Sequence, residues 1–419
     1  MFKTGADQIG GLLSQAVQFR LHLWIERGTC KQPGDRGHVM RPSDIAISNY
    51  RSIRRLIMPI QPLSVFVGQN GVGKSNLYKS LSLLRDAATG RITRTIADEG
   101  GLNSVYWSGV RRRGEDGRLR LEVRFEHIRY AIELGFPAPA EAAFPGEPMI
   151  KSERIEATHG KRKVLMMERA NSHVSVRGES GAWSEHKDAV LPSETALADF
   201  LDSKVCPEID LIRNALQSWR FYHDFRTDPA SPIRKPCLAI TTPSLSADGH
   251  DLAAVLATLF AIREGAGDLQ DAIEDAFPGA ELRAWEENGR CEFELRQQDM
   301  PRPFKAHELS DGTLKYICLL AVFMGYRLPP FIALNEPETS LHPSLLAPLA
   351  RLIAKASRRA DIWIVTHSEH LMEALRSESS VPLRRVIKAN GATTIEGLTA
   401  GGEFRDREDD DNDDDNDDD

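Results

Sequence analysis

Leu63-Ser64-Val65-Phe66-Val67-Gly68-Gln69-Asn70-Gly71-Val72-Gly73-Lys74-Ser75 passes from a mostly apolar run, through three glycines, to a lysine and a hydroxyl. The first five residues read as a short buried strand. Ser75 to Arg85 carries Leu77, Leu81 and Leu84 at helical spacing. Glycines at 68, 71 and 73 let the backbone curl so that successive N–H groups point inward, and the helix that follows adds its positive end. Such a cradle suits the phosphates of ATP. Lys74 is expected on the β- and γ-phosphates and the Ser75 hydroxyl on Mg²⁺, with Gln69, Asn70, Val72 and Asn76 completing the binding loop. A coincidental glycine turn is the competing reading, and the flanking strand and helix speak against it.

Three more elements lie far downstream. Phe331-Ile332-Ala333-Leu334-Asn335-Glu336-Pro337-Glu338 reads as a buried strand ending in polar residues, and Ile362 to Val365 as another ending in Thr366-His367-Ser368. In a parallel sheet, ligands gather at the carboxyl ends of strands. Glu336 is therefore expected to polarise a water or hold its hydrogen bond, and His367 to touch the γ-phosphate. Glu308-Leu309-Ser310-Asp311-Gly312-Thr313 opens an apolar helix at Leu314, a second anion-binding end. By itself it is no more than a good N-cap. Asp311 and Lys315, a turn apart, are expected to pair on that helix.

The remaining pattern is α/β. Asp44 to Ile47, Leu119 to Phe125 and Tyr130 to Leu134 read as strands, and Lys151 to Val176 as further sheet. Helical patterns cover Glu194 to Phe200, Glu208 to Trp219, Gly249 to Glu264 and Pro343 to Ala356. Strand–helix alternation after residue 300 implies a parallel sheet with helices on both faces. The division expected is a poorly patterned extension (1–39), the first part of a head (40–136), an inserted β and helical lobe (137–300), the second part of the head (301–400) and an acidic tail (401–419). Met40 is read as the natural start, or residues 1–39 as dispensable.

Charge is concentrated. Of the formal net charge of −8, the stretch Arg405 to Asp419 carries −9, eleven acids against two arginines, so the body is nearly neutral. That tail lacks apolar residues and is expected to be disordered, while the near-neutral body excludes a uniformly basic nucleic-acid binder but not a local basic patch. The five cysteines form no CxxC pair, which fits a reducing cytoplasm. No run is long and apolar enough to predict a membrane span.

With these motifs in order, the sequence resembles the ABC-type P-loop ATPases, and among them the RecF, SMC, Rad50 and OLD branch with its AAA-type predicted ATPases. Gly68 to Ser75 matches Walker A, Leu309 to Thr313 the signature motif, Phe331 to Glu336 Walker B, Thr339 to His342 the D-loop and His367 the switch histidine. Asn49-Tyr50-Arg51-Ser52 resembles that branch's opening motif and adds Arg51 and Ser52 to the nucleotide-binding set. The resemblance implies a P-loop NTPase head with a mostly parallel sheet flanked by helices, plus an antiparallel β-rich lobe and a helical lobe between Walker A and signature. It also implies ATP and Mg²⁺ as cofactors, the latter on Ser75 and Asn335, and a head-to-tail homodimer. In that dimer Ser310, Asp311 and Gly312 of one copy would meet ATP held by the other.

Three departures stand out. Asn335 replaces the usual Walker B aspartate, His342 replaces the D-loop aspartate, and no glutamine occurs between Gln69 and Gln217 where the Q-loop residue is sought. They bear on turnover more than on nucleotide binding. The middle shows neither sustained heptads nor a CxxC hook, and about 30 patterned residues after His367 are too few for a Toprim domain, so any nuclease is a separate partner. Trp219 to Arg226 interleaves aromatics with basic residues and fits either a nucleic-acid surface or, preferably, aromatics in the core with Arg/Asp pairs at a domain junction. Arg111-Arg112-Arg113 is either a phosphate contact or a solvated turn. The reading adopted is a cytoplasmic ATP-hydrolysing switch acting on DNA or a DNA-processing partner, in repair or mobile-element defence. The alternatives are a slow or non-hydrolysing ATP sensor for a separate effector and, less favoured, a transporter's ATP-binding subunit.

Overall fold

The computed structural model describes residues 40–110, 117–137, 144, 146–160, 162–178, 180–200 and 206–404. The N-terminal extension, the arginine triplet at 111–113 and the acidic stretch from Arg405 lie outside the described residues. Two compact units emerge, each assembled from separated stretches of chain. The described residues of the first are 40–60, those within 79–218, and 387–404, and the second holds 61–78 and 219–386.

The first unit is built on an eight-stranded antiparallel sheet. Its spatial order is Ile53–Pro59, Pro42–Tyr50, Leu119–Phe125, Ile128–Gly135, Met149–His159, Arg162–Ala170, His173–Arg177 and Trp183–His186. Alternation sets which side is buried. Leu121 faces Ile132 and Val123 faces Tyr130, all four in the core, while outward-facing Arg129 bonds Glu122 and, at 3.2 Å, Glu156. One ion pair is fully buried: Arg169 Nη1 lies 2.7 Å from Glu153 Oε2, both side chains 0% exposed. The Tyr130 hydroxyl and the Ala196 and Leu197 N–H groups also donate to Glu153, and Arg169 donates to the Leu191, Glu194 and Asn171 carbonyls. Such dense pairing is what a charge needs to be kept inside.

The second unit carries the parallel sheet expected from the sequence. Its strands lie in the order Arg220–Tyr222, Phe331–Asn335, Asp361–Thr366, Leu63–Val67 and Leu383–Ala389. Leu334 pairs with Ile364, and Ile364 with Val65. Leu63–Val67 and Asp361–Thr366 are buried at every position, the near-continuous apolar run of strands covered on both faces. The helix Asp311–Met324 is buried from Leu314 through Phe323 and joins Leu346–Ser357 in the core. It starts three residues before the expected Leu314 because the Ser310 side chain caps it, accepting from the Thr313 N–H.

Elsewhere the helical pattern is finer than read from sequence. Gly249 to Glu264 divides into Leu252–Ala261 and Arg263–Ala276, with extended Ile262 between them. Pro343–Leu345 is a 3₁₀ turn leading into Leu346–Ser357. Within Trp219 to Arg226 only Arg220–Tyr222 is strand; Trp219, Phe221, Tyr222 and Phe225 are buried, His223 and Asp224 are exposed, and Arg226 pairs with Asp228.

Candidate nucleotide site

The phosphate loop leaves the carboxyl end of Leu63–Val67 and enters the helix Lys74–Ala88. Gly71 and Gly73 have φ of 81° and 101°, a region that side chains with a Cβ rarely adopt. Gly68 is required for a different reason: a Cβ there would stand 2.6 Å from the Val386 carbonyl oxygen. Lys74 is 5% exposed, and its Nζ donates to the Gly68 and Gln69 carbonyls at 2.5 and 3.0 Å. Burial lowers its pKa, while Glu336 and Glu338 pull the other way and favour the charged form. The Asn76 N–H bonds Gly73 O at 3.0 Å, and Ser75 is exposed at the helix start.

Two neighbouring strand ends supply carboxylates and an imidazole. Glu336 follows Phe331–Asn335 in a left-handed conformation (φ 49°), and its N–H is held by Val365 O at 2.7 Å. That turn points the side chain at the next strand's end, where Glu336 Oε1 lies 3.2 Å from His367 Nδ1. Glu338, which the sequence reading did not select, is more buried than either, at 8% exposure. Its Oε1 accepts from the Thr366 hydroxyl and from the His367 N–H at 3.4 Å. The signal for it was a second acid two residues beyond Glu336, across Pro337.

At this site, among the described residues, Asn335 Oδ1 and Glu338 Oε2 are buried without a hydrogen-bond partner. An orphaned buried oxygen is a position awaiting a donor or cation. Among the described residues no group of three or more His, Cys, Asp or Glu could by itself hold a metal ion. Mg²⁺ is commonly held by one or two protein oxygens together with phosphates, so Ser75 and Asn335 fit that ion with nucleotide rather than a protein cage.

The signature turn sits against the D-loop of the same chain. A Cβ on Gly312 would meet Ser340 O at 2.7 Å, and Ser340 itself is left-handed, with φ of 66°. The Ser310 hydroxyl lies 2.8 Å from Thr313 Oγ1. Asp311 does not pair with Lys315 as expected. It bonds Arg234 at 2.7 Å, whereas Lys315, 5% exposed, has its Nζ 3.8 Å from Asp224. Burial lowers the Lys315 pKa, opposed by Asp224, Glu338 and Glu336. Local spacing lost to tertiary partners here. His342, in place of the D-loop acid, caps the next turn, its Nδ1 accepting from the Ser344 N–H.

Arg51 and Ser52 belong to the first unit. Arg51 is left-handed (φ 49°) and its Nη2 bonds Glu99 at 2.7 Å, while Ser52 Oγ lies 2.6 Å from Thr393 Oγ1. Burial raises the Glu99 pKa, but hydrogen bonds from Lys79 and Arg51 outweigh it and hold the carboxyl below its ordinary value.

The family model described as "AAA domain, putative AbiEii toxin, Type IV TA system" matches residues 63–373. A DNA replication and repair protein RecF from Mesorhizobium japonicum is 32% identical over 94 residues, 22% of each chain. The match therefore spans about a fifth of that relative's length. Among solved structures, the Smc head bound to the C-winged helix domain of ScpA is 14% identical with a TM-score of 0.47, covering 85% of this chain and 97% of that one. The SMC head domain from Thermotoga maritima is 16% identical with a TM-score of 0.43, covering 85% and 98%.

Proposed function

We propose, starting from the fact that this chain belongs to that AAA-domain family of ABC-type P-loop ATPases, that it binds and hydrolyses ATP and couples the cycle to self-association. The observation that carries this reading is the convergence of Lys74, Glu336 and His367 at the carboxyl ends of three adjacent parallel strands, with Glu336 and His367 3.2 Å apart. Lys74 exchanges its two loop carbonyls for the β- and γ-phosphates. Glu336 accepts a proton from, or orients, the attacking water. His367 contacts the γ-phosphate and, through Glu338, ties that contact to the chain after Walker B. Bound Mg²⁺, held through Ser75 and Asn335, would supply neutralisation of phosphate charge.

The signature turn at Ser310 to Gly312 is assigned to the ATP of a second copy, giving a head-to-tail homodimer. DNA, or a protein that processes DNA, is the proposed partner, and the cytoplasm the proposed location. The RecF match supports repair and the family's toxin–antitoxin description supports mobile-element defence. A second reading has its own observation. Asn335 offers a neutral oxygen where a carboxylate is usual, which favours a slow ATP sensor that holds a separate effector, such as a nuclease.

The deciding experiment measures ATP hydrolysis by the purified chain with and without DNA, beside Lys74→Ala and Glu336→Gln. DNA-stimulated turnover lost in both variants supports the switch. Nucleotide binding without turnover favours the sensor, and absence of binding removes both.

A further inference from the structure

Arg234 closes the 3₁₀ turn Pro232–Arg234 and is far from the phosphate loop in sequence, yet most of its guanidinium bonds go to the signature motif and the chain that leads into it. Nη1 donates to the carbonyls of Ala306, His307 and Leu309 at 3.2, 3.1 and 2.8 Å. Nη2 donates to Asp311 Oδ1 at 2.7 Å, and Nε donates to Thr227 O at 2.7 Å. The side chain is 9% exposed, whereas Asp311 is 61% exposed.

Two consequences follow from this arrangement. Three carbonyls of the chain entering the helix Asp311–Met324 converge on one planar fork, so the path from Ala306 to Leu309 is set by a side chain outside the motif. All three accept from Nη1 alone; a lysine's single nitrogen could meet them but could not at the same time reach Asp311 and Thr227, as Nη2 and Nε do. The second consequence concerns charge. Asp311 suits the helix N-terminus electrostatically, but it is an anion where the proposed function brings the γ-phosphate of another copy. Pairing with Arg234 offsets that charge, and the rigid side of the pair is the buried one.

We propose that Arg234 is a positioning residue for trans recognition of ATP: it holds the signature turn in shape and masks Asp311 from the incoming phosphate. This rests on the dimerisation reading above and adds to it the residue that makes an acidic signature motif workable.

The test uses the full chain carrying Glu336→Gln to retain ATP, with self-association measured by sedimentation in ATP and Mg²⁺. Nucleotide binding by the isolated copy is followed with a fluorescent ATP analogue at low protein concentration. Adding Arg234→Ala should weaken association at least about tenfold while analogue binding stays within about twofold. Adding Asp311→Asn to that variant should recover a substantial part of the loss, which a purely structural role for Arg234 would not produce. Unchanged association in Arg234→Ala, or no recovery in the double variant, overturns the proposal. If Arg234→Ala does not fold, Arg234→Lys replaces it. It should associate more weakly than the parent and respond to Asp311→Asn, and equality with the parent overturns the assignment. A parent that stays monomeric with ATP removes the dimerisation reading and this role with it, and is told apart because the failure then lies in the parent.

Discussion

His367 Nδ1 stands 3.2 Å from Glu336 Oε1, and the His367 backbone N–H is held by Glu338 at 3.4 Å. The acid assigned to the water and the histidine assigned to the γ-phosphate thus lie within ion-pair distance of each other at the ends of two strands. That proximity depends on the left-handed turn at Glu336, without which the side chain would not face the neighbouring strand.

Glu336→Gln keeps shape and hydrogen-bonding capacity but cannot take a proton. Turnover should fall by roughly 10²–10⁴-fold while ATP binding is retained. Steady-state hydrolysis and equilibrium nucleotide binding on the same preparation check this, and parallel loss of both would place Glu336 in binding instead.

Asn335→Asp places a charge at the side chain whose Oδ1 has no hydrogen-bond partner among the described residues. The Mg²⁺ concentration for half-maximal nucleotide binding should drop, by roughly tenfold, because cation affinity follows ligand charge. A Mg²⁺ titration reads the shift directly. An unchanged midpoint would remove Asn335 from the metal's surroundings.

Gly312→Ala places a methyl 2.7 Å from a backbone carbonyl that cannot swing away, Ser340 O. Separation of the signature turn from the D-loop should cost about 1–3 kcal/mol, visible as a lower midpoint in chemical denaturation. ATP-dependent association should weaken as well. A variant as stable as the parent would mean the D-loop yields easily.

In the first unit, Arg169→Met should destabilise by roughly 3–5 kcal/mol, because it strands the Glu153 carboxylate in the interior. Arg169→Met combined with Glu153→Leu should be less damaging than the single change, since no charge is then left unpaired. Denaturant midpoints of the three chains decide it, and a strictly additive double variant would show that the two side chains do not act as a pair.

Much of this protein could be read without coordinates because the decisive features are local. The phosphate loop needs left-handed glycines, a lysine and a hydroxyl within a few residues of a buried strand, and each requirement leaves its mark at a definite position from Gly68 to Ser75. The parallel sheet announced itself through apolar strands buried on both faces, such as Phe331 to Leu334, and Ser310 through its N-cap position. What the sequence could not determine is the choice among long-range partners. Asp311 had a lysine one helical turn away, yet it pairs with Arg234, 77 positions distant in the chain. Glu338 looked like one more polar loop residue until the fold set it beneath Thr366 and His367. Gly312 is explained by the Ser340 carbonyl, not by its own backbone angle. Composition and periodicity determine which face of an element is buried. Which charge meets which, and which backbone comes too close for a methyl, depends on distances that exist only once the sheet and its helices have packed.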